Sequence, residues 1–469
     1  MSKTAVDNSL TQEILTESIW KLMAKFSLPA IIAMSINSVN TFVDALFIGQ
    51  YVGQDALAAV SLAFPLTMIT NGISAMIGIG ASSLLSRAIG ANEVDIQRKM
   101  FGLVTVLTVL CSVVLMSIGL YFAEELIGLM GGTGEIQTMG AYYYRILMIG
   151  AFFRTYGVVL NVLIRAEGKI KAAMTYSIIA TLLNIILNPL FIAYYEWGIA
   201  GAAWSTNVAM FLFSMIGIWY FVKRKTNYEV DFNYWGLDKK MMKPILSVGV
   251  SAMMLQIMFV IQQVFVFRSI VHYGSDDPNE VYNANYHIAV IGANYRIMIL
   301  MLMPIFGFSQ AMAPVAGINY GAKIYDRVKS SFSIFTKAGT VFLIFLWALE
   351  MLYPEVILGW MLPDANLRSQ DILNFRIQMA TYPVFPFFFM GTTLFQSIGN
   401  AKLAGYMLVA RELILFVPLV LLLPYIYGID GIYHAIAPTN LIVFVVAFFL
   451  IRREFRKWTK PNFQADILG

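Results

Sequence analysis

Charge is scarce in this chain. Charged residues occupy 13% of its 469 positions, about half of the roughly 25% found in a soluble domain. That shortage excludes an ordinary soluble globule. Cysteine is reduced to one residue, Cys111, set inside an apolar run. A lone thiol forms no internal disulfide and no metal site by itself, so it reads as a small core- or lipid-facing residue. His272, His287 and His434 are scattered and lack metal-ligand spacing. No GxxxxGK[ST], HExxH or GxSxG occurs. Nothing in the chain hydrolyses ATP, so uphill movement of any cargo must draw on an ion gradient. The net charge of +5 is small for this length and does not point to nucleic acid. The start, with Asp7, Glu13 and Glu17, lacks the basic, apolar, small-residue order of a cleaved signal peptide.

What is abundant is apolar sequence, 59% of the chain. Runs of 18 or more residues recur, each a candidate membrane helix. The predicted spans are 20–48, 57–83, 100–122, 141–164, 172–194, 199–222, 244–272, 285–310, 333–356, 376–398, 403–427 and 431–451. They are too long and too uniformly apolar for barrel strands. Twelve spans place both termini on one side. The basic residues test that count. Lys and Arg after spans 2, 4, 6, 8 and 10, with those at the two chain ends, make 25 of the 32. The opposite loops are acidic, with Glu124, Glu125, Glu135, Glu196, Asp276, Asp277, Glu280, Glu355, Asp364, Asp371 and Asp430. The positive-inside rule then makes both termini cytoplasmic.

The chain also reads as a duplication. Gly168 in RAEGKIKAA matches Gly399 in QSIGNAKLA at an offset of 231. Gly90 matches Gly321 at the same offset, and GIAGAAWST matches GIDGIYHAIAPTN at 230. Pro29 faces Gly249 at 220, the difference falling on the insertion GSDDPNEVYNAN. The expected organisation is a terminal segment 1–19, a first lobe 20–222, a polar linker 223–243, a second lobe 244–451 and a tail 452–469. Two six-span halves with binding between them are a recurring transporter design.

Ionisable residues inside a span cost about 2.5–3.5 kcal/mol each on insertion scales. Asn37, Asn40, Thr41 and Asp44 share one helix face in NSVNTFVDALFIG. The plain alternative for Asp44 is a solvated helix end. Its repeat counterpart is Val264, so the acid is a feature of one half only, which favours function over architecture. Thr181, Asn184 and Asn188 share a face in TLLNIILNPLF, before Pro189. They are either inter-helix glue or a second wall for the Asp44 site. Arg154, half-way through span 4, either pairs with Asp44 or meets lipid headgroups. Adjacent Arg411 and Glu412 are expected to face different ways. The candidate cavity-lining set is Asn37, Asn40, Thr41, Arg154, Asn161, Gln262 and Arg296. No catalytic or metal site is expected.

FSLPAIIAMSINSVNTFVDALFIGQYVGQDALAAVSLAFP resembles the first two helices of the multidrug and toxic compound extrusion (MATE) family. The likeness continues in RAEGKIKAA, LNIILNPLFI, GIAGAAWST, PVAGINYGA and QSIGNAKLA, over about 20–450. It is similar to the bacterial DinF and MepA-like branch. The resemblance implies an all-α integral membrane protein, with twelve helices in two pseudo-symmetric six-helix lobes forming a V. It implies export of drug-like or amphipathic compounds in exchange for H⁺, or less readily Na⁺, by alternating access. The ion site would comprise Asp44, Asn184, Asn188 and Thr206, with Pro29 as a hinge. Where this chain has Asn188 the branch commonly has an aspartate, which removes one carboxylate and weakens the case for Na⁺. The implied cargo is a small organic molecule, cationic or lipophilic, and aromatic faces suit organic cations. No cofactor beyond the coupling ion is expected. The expected setting is a monomer in the plasma membrane, among lipids. The alternative is a flippase-like exporter of lipid-linked compounds or metabolites. A membrane-embedded enzyme or receptor is a third class, for which no converging catalytic set is found.

Overall fold

The computed structural model describes residues 9–274, 282–362 and 367–460. Most of the GSDDPNEVYNAN insertion, with Asp276, Asp277 and Glu280, lies outside the described residues, as does Asp364. The described elements are all helical. The first half runs α1 (Ser9–Thr16), α2 (Ile19–Tyr51), α3 (Gln54–Gly90), α4 (Val94–Tyr121), α5 (Ala123–Leu129), α6 (Gly134–Ile149), α7 (Ala151–Ala166), α8 (Ile170–Pro189) and α9 (Gly198–Val222). The second runs α10 (Lys239–Tyr273), α11 (Ala284–Gly321), α12 (Tyr325–Leu352), α13 (Pro354–Met361), α14 (Ser369–Met379), α15 (Phe385–Ser397), α16 (Ala401–Val409), α17 (Val417–Tyr427), α18 (Asp430–His434) and α19 (Ile436–Lys457).

Ten spans among the described residues are long and apolar enough to cross a bilayer. An eleventh is the pair α6–α7, bent by 52°. Gly150 sits at that bend because α9 presses on it: a Cβ there would lie 2.2 Å from Asn207 Oδ1. Asn207 Nδ2 donates to the Ile146 carbonyl at 2.6 Å, satisfying a backbone acceptor at the bend. The twelfth span is broken in the same way. α14 and α15 are joined through a short 3₁₀ turn, Tyr382–Val384, with Pro383 and Pro386 at the break. Trp347 Nε1 caps the Met379 carbonyl there at 3.0 Å. Twelve crossings result, two of them broken at equivalent places in the repeat. The π-helical segments Leu190–Tyr194 and Ala410–Phe416 interrupt spans 5 and 11. The first follows Pro189, whose missing N–H and ring disturb the ordinary ladder. α2 runs through Pro29 without a break.

The duplication is written into the backbone. Gly168 and Gly399 both take positive φ, +89° and +81°, and Gly198 and Gly428 follow at +55° and +61°. Asn92 and Lys323, also 231 apart, match at +59° and +61°. Where α3 and α11 cross, the contact is reciprocal. A Cβ on Gly90 would lie 1.9 Å from the Ile318 carbonyl, and one on Gly321 would lie 2.0 Å from the Arg87 carbonyl. Only glycine lets the two backbones meet so closely.

These crossings lie toward the end of the bundle that carries the basic loops. α3 and α10 meet there through Gly80 against Ile245 and Gly249 against Met76. Ser83 Oγ bonds the Gln396 carbonyl, and buried Arg87 reaches the Ile398 carbonyl. α1 straddles both halves: its Ile14 packs on Gly168, and Asn319 and Arg327 donate to the Ile14 carbonyl. Farther along, α11 touches α2 at Gly307 and Ile31. Beyond that point the same α11 stripe becomes exposed at Leu300 and Arg296. The two halves are therefore sealed at the basic end and part toward the opposite end.

Candidate functional site

The polar faces of α2 and α8 meet. Both helices run in the same direction, and two rungs join them seven residues apart. Thr181 Oγ1 donates to Asn37 Oδ1 at 2.6 Å. One register farther on, Asn188 Nδ2 donates to Asp44 Oδ1. Asn40 Nδ2 approaches Asp44 Oδ2 at 3.3 Å. Thr41 bonds back to the Asn37 carbonyl at 3.2 Å. Asn188 Oδ1 accepts from Ser205 Oγ on α9, and Asn184 Nδ2 donates to the same hydroxyl at 3.3 Å. Asn184, Asn188 and Ser205 are all buried, whereas Asp44 is half-buried. The carboxylate thus sits at the open end of a chain of neutral amides and a hydroxyl.

That arrangement suits a group that changes protonation. A carboxylate accepts only, while a protonated acid also donates. An asparagine offers an N–H donor and a carbonyl acceptor on one rotatable amide, so Asn188 can serve either form. Among the described residues the site holds one formal negative charge and no second acid.

The other candidate residues are placed differently. Thr206 turns back on its own helix and bonds the Ala202 carbonyl at 3.1 Å, so its neighbour Ser205 supplies the α9 hydroxyl instead. Only adjacency in GIAGAAWST pointed to Ser205. Arg154 is buried on α7 and forms no ion pair with Asp44; its Nε has no hydrogen-bond partner among the described residues. Asn161 lies inside the first lobe, donating to the Ala173 carbonyl at 2.6 Å. It ties α7 to α8 and does not line the cleft. Gln262 is buried on α10. Arg296 is exposed on α11.

The second lobe gathers its charges elsewhere. Near its far end, buried Asp371 accepts from Arg368 through both oxygens and from Tyr286 Oη at 2.7 Å. Arg368 also approaches His287 Nε2, whose other ring nitrogen meets Tyr433 Oη at 3.0 Å. Deeper, Arg411 pairs with Glu412. The two were expected to face different ways, but both are buried. They lie on the π-helical segment Ala410–Phe416 and pair with one another there.

Two bundles of six crossings, duplicated and meeting at one end of a cleft, with a neutral-lined acid in one of them, define a polytopic membrane transporter. The profile of the MatE family matches residues 29–190 and 280–422, one stretch in each half. The chain belongs to that family, and it is a transporter rather than an enzyme. It is 29% identical to the probable multidrug resistance protein YoeA of Bacillus subtilis over 70% of each chain. It is 23% identical to the multidrug export protein MepA of Staphylococcus aureus, over 88% of this chain and 89% of that one. Among solved structures, the crystal structure of a MATE point mutant superposes with a TM-score of 0.88 at 25% identity, covering 98% of this chain and 99% of the other.

Proposed function

We propose that this protein exports small drug-like or amphipathic organic molecules in exchange for protons, by alternating access between its two lobes. One observation carries the coupling: Asp44 is a lone acid held by neutral donors, with no cation paired to it among the described residues. Protonation of Asp44 removes the negative charge and frees Asn188 to reverse its amide, which loosens the α2–α8–α9 ladder. Loss of the proton restores it. A second carboxylate is absent from this ladder, which supports H⁺ over Na⁺ as the coupling ion. The names of the multidrug relatives support the cargo class. The basic loops support a plasma-membrane orientation with both termini cytoplasmic, so the cleft opens outward in this conformation.

The test is substrate-dependent proton flux in proteoliposomes loaded with a pH dye, with and without Na⁺. The expected result is cargo-driven proton movement that ignores Na⁺ and disappears in Asp44→Asn. Flux in that variant at the wild-type rate would overturn the coupling scheme. Movement only of lipid-linked cargo would identify the flippase alternative.

A further inference from the structure

The second lobe presents a cation, Arg296, to the cleft. α11 is packed on several sides by α2, α3, α10, α12 and α15. Over 286–310 its exposed positions are Ala289, Arg296 and Leu300. They fall on one stripe, and eleven residues beyond Arg296 the same stripe brings Gly307 against Ile31 of α2. Arg296 therefore faces the other lobe and not lipid. It forms no ion pair or hydrogen bond among the described residues.

Its depth is set by the same contact. From Gly307 to Arg296 is about 17 Å along the helix, and from Ile31 to Asp44 is about 20 Å, at 1.5 Å per residue. The base and the acid thus lie at similar levels in opposite lobes. Asp44, however, is turned into its own lobe and engaged by Asn188 and Asn40. Around Arg296 the exposed positions are mostly apolar, with Arg268 on α10 a second exposed cation nearby. Leu300 lies one turn on, and Val264 and Phe267 are exposed along the α10 face that begins at Gln256, which packs against Gly72 of α3. Ile69, one turn before Gly72, is exposed on α3. An unpaired guanidinium in such surroundings is costly unless an anion meets it.

We propose that Arg296 binds the acidic group of the cargo, which makes the preferred cargo an amphipathic anion or zwitterion: an apolar body carrying a carboxylate, sulfonate or phosphate. The guanidinium holds the acidic group through charge-assisted, forked hydrogen bonds, while the apolar walls take the body. This rests on the exporter reading and adds the charge class of the substrate. It sets the cleft against organic cations, which the aromatic content alone would have favoured.

The test is equilibrium binding of two xanthene dyes of similar size, anionic carboxyfluorescein and cationic rhodamine 6G, to the full chain in nanodiscs. Fluorescence anisotropy reads affinity without any ion gradient, so a failure of proton coupling leaves this measurement untouched. Wild-type protein is expected to prefer the anion. Arg296→Gln should weaken anion binding about tenfold or more and leave the cation unchanged or tighter. Arg296→Lys should retain part of the anion affinity, and Arg296→Glu should reverse the preference. Nanodiscs of phosphatidylcholine alone, compared with ones containing phosphatidylglycerol, separate a soluble cargo from a lipid headgroup. Competition by the anionic lipid in wild type but not in Arg296→Gln identifies the headgroup as the bound anion. Equal loss of both dyes in Arg296→Gln, unchanged anion affinity, or no anion binding by wild type would overturn the proposal.

Discussion

The two lobes share a scaffold and differ in chemistry. The glycines that shape the backbone recur: Gly168 and Gly399 hold nearly the same positive φ, and Gly90 and Gly321 make the same close approach to the opposite lobe. The polar rungs do not recur. By the repeat offsets, Asn37 and Asp44 correspond to Ile257 and Val264, while Thr181 and Asn188 correspond to Glu412 and Leu419. The first lobe keeps its acid among neutral amides at the α2–α8 seam. The second pairs two buried acids with arginines, Asp371 with Arg368 and Glu412 with Arg411, while buried Glu350 has no ion pair among the described residues. Backbone contacts leave little room for substitution, because a Cβ at such a crossing overlaps a carbonyl. Side chains pointing into a lobe are free to diverge so long as each buried polar group finds a partner.

The sharpest way to break this contrast is to move the acid. Asp44→Asn should reduce cargo-driven proton flux to background with little change in folding. Adding Val264→Asp to that variant should not restore flux, since Leu419 offers no amide at the equivalent place. Recovery in the pH-dye assay would show the lobes to be interchangeable. Next comes the shared scaffold. Gly321→Ala places a methyl against the Arg87 carbonyl and should cost about 1–3 kcal/mol, read as a lowered thermal midpoint. Gly168→Ala and Gly399→Ala should each cost about 1–2 kcal/mol from left-handed strain. Unequal losses would point to their different neighbours, Ile14 against Gly168 and Arg87 against Gly399.

A smaller effect separates two neighbours on α9. Ser205→Ala leaves the buried Asn188 carbonyl oxygen without its donor and should cost about 1–3 kcal/mol. Thr206→Val should change stability by less than about 0.5 kcal/mol, as an ordinary substitution away from a network does. A larger loss from Thr206→Val in denaturation would return Thr206 to the site.

The smallest effect concerns Glu167, whose counterpart is Ile398. Glu167 lies in the turn after α7, fully buried. It accepts from Tyr220 Oη and from the Asn227 backbone at 2.6 Å, fastening the linker to the first lobe. Burial pushes its carboxyl up to about 7, against the pull of Lys169 and of its hydrogen bonds. The folded state therefore keeps a proton that the unfolded chain releases near 4.5. This contribution to stability is complete below about pH 4.5 and is lost as pH rises through about 7. The thermal midpoint should decline between about pH 5 and pH 8, and Glu167→Gln should flatten that decline by about one or two degrees. An identical pH profile in the variant would show that another group carries the dependence.

Much of this was legible in one dimension. Apolar run length, the alternation of basic and acidic loops and the constant glycine offsets determined the twelve crossings and the repeat, because each depends on local composition or on a backbone that tolerates only glycine. The polar stripe on α2 and its counterpart on α8 were also readable, since helical periodicity puts such residues on one face whatever surrounds them. Tertiary structure alone decided how those faces meet. Whether Ser205 or Thr206 turns inward depends on the rotation of α9, set by Asn207 against Ile146 and by Gly201 against Phe191. Whether Arg154 reaches Asp44, and whether Arg411 and Glu412 meet, depended on how α7 and the π-helical segment pack against their neighbours. Periodicity fixes angles within a helix, but only packing fixes one helix against the next.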